Sequence, residues 1–244
     1  MNLPHFRYER VTSTNDCARE LLRDYPAVFV SALYQYQGRG RHGRSWVGDF
    51  GKNVYCSLGL RHHHPPSPSE AAALLALGAV AIWETVTAET HTPSLFLLKY
   101  PNDLLGRCPD GVWRKLSGVL VEHIAFPQNP ASVIGIGINV QQTEFPPSLR
   151  PTATSLALMG FGLTPEALLQ RLYHTLQGLL PLPPAELLQR WRSLLQLEGR
   201  LVALQGQPGL WRVRALRDDG SIELEQNGKH LIATDGDSLR YLFA

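Results

Sequence analysis

Nine consecutive residues, Gly38-Arg39-Gly40-Arg41-His42-Gly43-Arg44-Ser45-Trp46, carry three guanidinium groups, three glycines and one indole. Guanidinium forks match the paired oxygens of carboxylates and phosphates. Glycines let the backbone turn and come close to a ligand. Trp46 adds a flat face on which a base could stack. Together these residues suit an anionic nucleotide; the competing reading is an exposed Arg/Gly loop that binds RNA or nothing. The stretch is neither a GxxxxGK[ST] phosphate loop nor a GxGxxG dinucleotide fingerprint.

Lysine usage adds a second signal. Of the 23 basic residues only four are lysines: Lys52, Lys99, Lys115 and Lys229. In a chain that otherwise uses arginine, a lysine supplies a compact point charge that a planar fork does not. Lys99 ends an apolar run just before Pro101-Asn102-Asp103, where a charge is costly unless it meets an opposite one. Lys115 opens Lys115-Leu116-Ser117-Gly118. An ordinary surface lysine is the alternative at both positions. Gly135 and Gly137 interrupt an apolar strand, which marks a close approach of ligand or chain. Asn139 lies on the same face and could exchange hydrogen bonds with that ligand; an edge strand packed tightly on a helix is the competing reading.

Other chemistries find less. His62, His63 and His64 are consecutive, so an extended chain points them in alternating directions, and no carboxylate cluster backs them; no metal site is expected there. Neither GxSxG nor a Ser-His-Asp or Cys-His set stands out. Chemistry by positioning and charge stabilisation fits better than a covalent enzyme intermediate.

These residues need elements to hold them. Ser13-Thr14-Asn15 are good helix caps before a helix with Ala18, Leu21, Leu22 and Tyr25 on one face. Strands are expected at 27–36 and 53–60, flanking the Arg/Gly loop. Ser69 caps a long helix to about Ala88, apolar nearly all round and hence interior. Further strands are expected at 94–100, 119–124 and 133–140, with a loop at 106–113 and a short turn at Lys115–Gly118. Pro165, preceded by Thr164, opens one helix, and Pro184 to Gln196 forms another. After Gly199 the character changes to short alternating runs separated by turns at Gly206–Gly209, Asp218–Gly220 and Asn227-Gly228, which implies five strands in a small barrel. Hairpin-length and helix-length connections both occur, so an α+β fold is expected, with residues 1–198 as the main domain and 199–244 as the second.

Bulk properties bound the function. The chain has 244 residues, 23 Lys+Arg and 21 Asp+Glu, for a net charge of +2. That balance argues against a protein held wholesale on nucleic acid or an anionic membrane. Three cysteines far apart, without CxxC, suggest neither a disulfide framework nor a zinc knuckle. The N-terminus lacks an apolar signal core, and the most apolar run, Ala71–Trp83, is too short to cross a bilayer. The expectation is a cytoplasmic protein with no membrane and no DNA among its partners.

The motifs, taken in order, resemble the biotin–protein ligases. Ser13-Thr14-Asn15 resembles the family's STN, and Gly38–Trp46 its GRGRxGRxW loop. Lys99-Tyr100-Pro101-Asn102-Asp103 resembles KWPND, Lys115–Gly118 KLxG, and Gly137-Ile138-Asn139-Val140 GINV. The resemblance implies a class II synthetase-like mixed sheet with helices and a final SH3-like β-barrel. It implies ATP and biotin as substrates with Mg²⁺, and the biotin carboxyl carrier protein of acetyl-CoA carboxylase as acceptor. Biotin would be activated as biotinyl-5′-AMP and passed to a carrier lysine.

Carried over by motif, Lys99 and Arg41 would be catalytic. Ser13, Thr14, Asn15, Gln35, Arg39, Gly40, Arg41, Lys99 and Gly118 would bind biotin. Arg39, Arg41, Arg44, Trp46, Asn53, Lys115 and Asn139 would bind the nucleotide. Gln37 stands where the family has a small residue, so two glutamines compete for the biotin contact. Tyr100 replaces a tryptophan, and the segment 106–113 is longer than usual. With STN at residue 13, no DNA-binding domain precedes the catalytic region, which implies a ligase and not a repressor. Family members occur as monomers and homodimers. The rival readings are a lipoate–protein ligase, a non-catalytic RNA-binding module and an inactive carrier scaffold.

Overall fold

The computed structural model describes residues 3–126, 129–234, 236 and 239–241. The outer ends of the two expected domains therefore lie outside the described residues. The chain runs β1 (His5–Val11), α1 (Thr14–Leu21), β2 (Ala27–Gln35), β3 (Asn53–Arg61), α2 (Pro68–Thr90), β4 (Phe96–Lys99), β5 (Asp103–Arg107), β6 (Trp113–Ile124) and β7 (Ala131–Asn139). Two helices follow, α3 (Pro165–Leu179) and α4 (Pro184–Leu195), then β8 (Leu201–Leu204), β9 (Leu210–Leu216), β10 (Ile222–Gln226), β11 (Lys229–Ala233) and β12 (Leu239–Tyr241).

Strands β1 to β7 form one mixed sheet in the order β1-β2-β3-β7-β6-β5-β4. The β1–β2 pair is parallel and the other pairs are antiparallel. The edge-strand reading of the Gly135/Gly137 segment is thereby corrected: β7 is the central strand. Alternation along β7 sends Ile134, Ile136 and Ile138 to one face and Val133, Gly135, Gly137 and Asn139 to the other. On the isoleucine face lie α2, α3 and α4. Gly78 of α2 lets the helix settle on Val119 and Ile134, which a Cβ there would meet at 2.8–3.0 Å. The glycine face carries α1, which packs through Ala18 and its C-cap Leu22 against Val28, Val30, Ala131 and Val133. α1 has eight residues, about 12 Å at 1.5 Å per residue, so it covers one end of that face and leaves the other open.

Several expectations shift. β1 has no counterpart in the sequence reading, because its exposed, mostly polar residues give no core signal. Tyr25 lies beyond α1. α2 begins at Pro68, capped by Ser67 in a reciprocal box with Glu70, and runs to Thr90, where His91 turns left-handed. At 23 residues it is long and apolar enough to span a bilayer by length and composition, unlike the shorter run read from the sequence. Here it is mostly buried in the protein core. β4 starts only at Phe96, because Pro93–Leu95 forms a 3₁₀ turn. Lys115–Gly118 is no turn; it lies inside the twelve-residue β6.

Strands β8 to β12 form a second, antiparallel sheet in the order β11-β10-β9-β8-β12. Asn227 and Gly228 both have positive φ, 50° and 78°, as a tight hairpin between β10 and β11 requires. The change from helices to this sheet falls between Leu195 and Leu201. The apolar core nevertheless continues from the main sheet through Trp191, Leu195 and Leu197 to Val202, Trp211 and Leu224. Tyr100 joins the two parts: its ring lies 5.9 Å from that of Trp191 and its hydroxyl donates to the Gly220 carbonyl at 2.6 Å.

Candidate active site

The uncovered half of the glycine face is a cavity of about 810 Å³. Its lining brings together Ser13, Thr14, Asn15, Gln35, Arg39, Gly40, Arg41, Arg44, Trp46, Lys99, Lys115, Gly118 and Asn139. These residues come from six separate stretches of chain. Gln35 lines the cavity whereas Gln37 is not among its walls and is exposed. Asn53 is the exception among the expected site residues. It is buried beneath the site, with Nδ2 donating to Tyr55 Oη and Gln142 Oε1 and Oδ1 accepting from the Val140 amide. In this position Asn53 ties β3 to the end of β7. The sequence reading also missed walls made by Asn102, Asp103, Trp113, Phe145 and Thr152. Asn102 and Asp103 stood within a quoted motif; Phe145 and Thr152 sit in a segment without periodicity or motif.

One end of the cavity is a closed network of hydrogen bonds. Ser13 caps α1, its hydroxyl accepting from the Asn15 amide at 3.2 Å. Gln35 Oε1 accepts from Thr14 N at 2.8 Å and from its hydroxyl at 3.2 Å. Ser57 Oγ lies 2.6 Å from Asn15 Oδ1, to which it donates, and 2.7 Å from Thr14 Oγ1. Asn15 Nδ2 donates to Glu122 Oε2 at 2.6 Å. This explains Gly135, since a Cβ there would stand 2.3 Å from Asn15 Oδ1. Arg39 forms a fork with Asp16 at 2.7 and 2.8 Å and lies 3.4 Å from both Glu122 oxygens. The hydrogen bond from Arg39 holds the Asp16 carboxyl below its ordinary value, and the bond to Asp16 raises the Arg39 guanidinium further above its own.

The other end gathers cations around an indole. The Arg/Gly loop folds back on itself, with Gly40 N donating to Arg44 O at 2.7 Å and Trp46 N to Gly38 O at 2.8 Å. Trp46 lies against Gly137, whose absent Cβ would meet the ring at 2.6–2.8 Å. The close approach read from the strand glycines is therefore made by Asn15 and Trp46. Trp46 Nε1 is buried with no hydrogen-bond partner among the described residues. Lys115 Nζ pairs with Asp103 Oδ1 at 2.6 Å and sits 5.4 Å from the centre of the Trp46 ring, within range of a cation–π attraction. Arg41 Nη1 donates to Asn102 Oδ1 at 3.3 Å, and Asn102 Nδ2 to the Val119 carbonyl at 2.8 Å. Asn139 Nδ2 donates to the Thr154 carbonyl at 2.9 Å. Among the described residues no group of three or more His, Cys, Asp or Glu could hold a metal ion. The three histidines 62–64 stay apart: His62 bonds Ser132 while His64 bonds the Pro65 carbonyl.

A neutral polar group fits the first end, and carboxylate or phosphate oxygens fit the second. That is a site for activating a small organic acid on a nucleotide, with the aromatic face of Trp46 beside the cations. Comparison with known proteins points the same way. The family model described as the biotin/lipoate A/B protein ligase family matches residues 8–140, and the chain belongs to that family. It is 29% identical over 222 residues to the biotin–[acetyl-CoA-carboxylase] ligase of Mycobacterium tuberculosis, covering 88% of this chain and 79% of that one. It is 36% identical over 159 residues to the bifunctional ligase/repressor BirA of Bacillus subtilis, covering 63% of this chain and 46% of that protein. In three dimensions it resembles the biotin protein ligase of Aquifex aeolicus in complex with biotin and ATP, with a TM-score of 0.73, 26% identity and coverage of 98% and 99% of the two chains.

Proposed function

We propose that this chain is an ATP-dependent biotin–protein ligase. The observation that carries the reading is the convergence of Ser13–Asn15, the Arg/Gly loop, Lys99, Lys115 and β7 on one cavity. The biotin carboxylate attacks the α-phosphate of ATP, a new acyl–phosphate bond forms and pyrophosphate leaves. The ε-amine of a carrier lysine then attacks the acyl carbon, an amide forms and AMP leaves. In the first step two anions meet, so fixed positive groups lower the barrier by offsetting their repulsion and the charge that develops.

Lys99 and Arg41 take the catalytic roles at the carboxyl–phosphoryl junction. Ser13, Thr14, Asn15, Gln35, Arg39, Gly40 and Gly118 hold biotin. Arg44, Trp46, Lys115 and Asn139 hold the nucleotide end, with Arg39 and Arg41 reaching both. Trp46 leaves its place over Gly137 or shares it with the base. Mg²⁺ would arrive on the triphosphate, since it binds through phosphates and one or two carboxylates. Asp103 is the one carboxylate among the described lining residues. When bound, the ion would neutralise phosphate charge. The acceptor is the biotin carboxyl carrier protein of acetyl-CoA carboxylase. Residues 1–198 form the catalytic domain, and residues 199–244 form a second domain that supports Tyr100 and the neighbouring Lys99.

Family membership sets aside the non-catalytic RNA-binding and scaffold readings, but it spans biotin and lipoate. Pyrophosphate exchange into ATP, measured with each acid in turn, separates them. Exchange with biotin and not lipoate is expected. The reverse would overturn the substrate assignment, and exchange with neither would overturn the reaction.

A further inference from the structure

Glu122 belongs to none of the motifs, and it is not among the residues that line the cavity. It nevertheless touches two of those that do. Its Oε2 accepts from Asn15 Nδ2 at 2.6 Å, and both of its oxygens lie 3.4 Å from Arg39 Nη2. Asn15 belongs to α1 and Arg39 to the Arg/Gly loop, whereas Glu122 stands on β6. Asp16, the other carboxylate on Arg39, also sits on α1. Glu122 is thus the link from the rigid sheet to both elements at the polar end of the cavity.

We infer that Glu122 is a positioning residue that sets Asn15 and Arg39 for the acid substrate. Two features favour this over simple packing. Asn15 takes a bond at each end of its amide, from Ser57 at Oδ1 and to Glu122 at Nδ2. An amide can flip, and a carboxylate at one end with a hydroxyl at the other fixes which end faces which way. Arg39 commits both terminal nitrogens to the Asp16 fork; the Glu122 oxygens add a second attraction at Nη2 that selects the direction of the guanidinium. Glu122 side chain is about one quarter exposed, at 24%, so its removal leaves no large apolar void. The inference rests on the biotin-ligase reading only for the identity of the acid.

The test compares wild type with Glu122→Ala, Glu122→Gln and Arg39→Ala, and with the double variant Glu122→Ala/Arg39→Ala. Apparent KM for biotin and for ATP and kcat for pyrophosphate exchange are measured alongside thermal melting. Glu122→Ala should raise the biotin KM on the order of tenfold or more, because displacements near 1 Å at a reacting site are costly. The ATP KM should rise less than the biotin KM, because of the two residues Glu122 holds only Arg39 reaches the nucleotide, and Tm should fall by a few degrees at most, the cost of leaving Asn15 Nδ2 without its partner. Glu122→Gln keeps an oxygen acceptor for Asn15 and should recover part of the loss. In the double variant the increases in biotin KM should fall well short of multiplying, since coupled residues are non-additive. An unchanged biotin KM, equal rises in both KM values, or multiplying effects would each overturn the role. Should wild type activate lipoate and not biotin, the substrate reading fails, and the same comparison on lipoate still decides the role of Glu122. Activation of neither acid by wild type would overturn both.

Discussion

Replacing Gly135 with alanine probes how tightly the polar end of the cavity is built. A Cβ there would lie 2.3 Å from Asn15 Oδ1 and 3.0 Å from its Cγ and Nδ2. Ordinary van der Waals contact needs about 1 Å more. Asn15 cannot give that distance freely. It is 4% exposed, its Oδ1 takes the Ser57 hydroxyl and its Nδ2 reaches Glu122. Retreat by about 1 Å breaks the Ser57 bond and leaves a buried group unpaired, at about 1–3 kcal/mol. Overpacking adds about 1–3 kcal/mol. Gly135→Ala should therefore lose about 2–6 kcal/mol, and at about 2–4 °C per kcal/mol for a chain of this size Tm should fall by at least about 4 °C.

Gly137→Ala supplies the contrast. Its Cβ would also overlap the Trp46 ring, at 2.6–2.8 Å, yet Trp46 belongs to a loop whose neighbours at 42–45 are exposed. The indole can move away, so the stability loss should stay below about 1 kcal/mol, while nucleotide affinity falls. Scanning calorimetry of both variants, with titration calorimetry for biotin and ATP, reads the two effects separately. Melting of Gly135→Ala within about 1 °C of wild type, or a larger stability loss in Gly137→Ala, would refute the reasoning.

Other variants and conditions test the remaining assignments. Lys99→Ala should slow adenylate formation on the order of 10²-fold or more, the cost of losing a charge partner in the transition state; unaltered pyrophosphate exchange would remove Lys99 from the chemistry. Gln35→Ala should weaken biotin binding while Gln37→Ala leaves it unchanged, because only Gln35 lines the cavity and bonds Thr14; equal effects in titration calorimetry would contradict this. Tyr100→Phe deletes the hydrogen bond to the Gly220 carbonyl and should cost about 1 kcal/mol in denaturant unfolding; no change would show that the bond contributes nothing. Burial holds His5, His62 and His123 below their ordinary value of 6.5. The unfolded chain then takes up protons that the folded chain refuses, so stability is complete above about pH 6.5 and declines as pH falls below it. His123→Gln should flatten that decline in unfolding experiments between pH 6.5 and 5; an unchanged slope would clear His123.

The site was more legible in the sequence than the fold that holds it. Arg39 and Arg41 stood out as charges among glycines, Lys99 as a charge ending an apolar run that demands a partner, and Lys115 as one of only four lysines in an arginine-rich chain. The two glycines of β7 announced a close approach, but not of what. The occupants, Asn15 and Trp46, are more than 85 residues away in sequence, and no local pattern reports such a distance. β1 escaped notice because an exposed edge strand in parallel pairing needs no alternating apolar face; its residues alternate little in burial. Lys115–Gly118 looked like a turn because of its Ser and Gly, yet tertiary pairing with β5 and β7 draws it into β6. Glu122 carried no motif at all; its meaning lies only in the two side chains that reach it.

A central strand is where a sheet can least afford glycine, which in a strand interior costs roughly 0.5–1 kcal/mol relative to alanine. β7 accepts two, both on the face that carries α1 and the cavity, one under Asn15 and one under Trp46. That choice is consistent only if room above the strand matters more than strand stability. The room is not left empty but given to side chains already fixed by others: Asn15 by Ser57 and Glu122, Arg39 by Asp16 and Glu122. With two carboxylates beside it, Arg39 brings direction to the site more than net charge, whereas a lysine point charge such as Lys99 is suited to follow charge as it develops. The polar end is thus set before any ligand arrives, and the cost of ordering it is met in folding and not in binding.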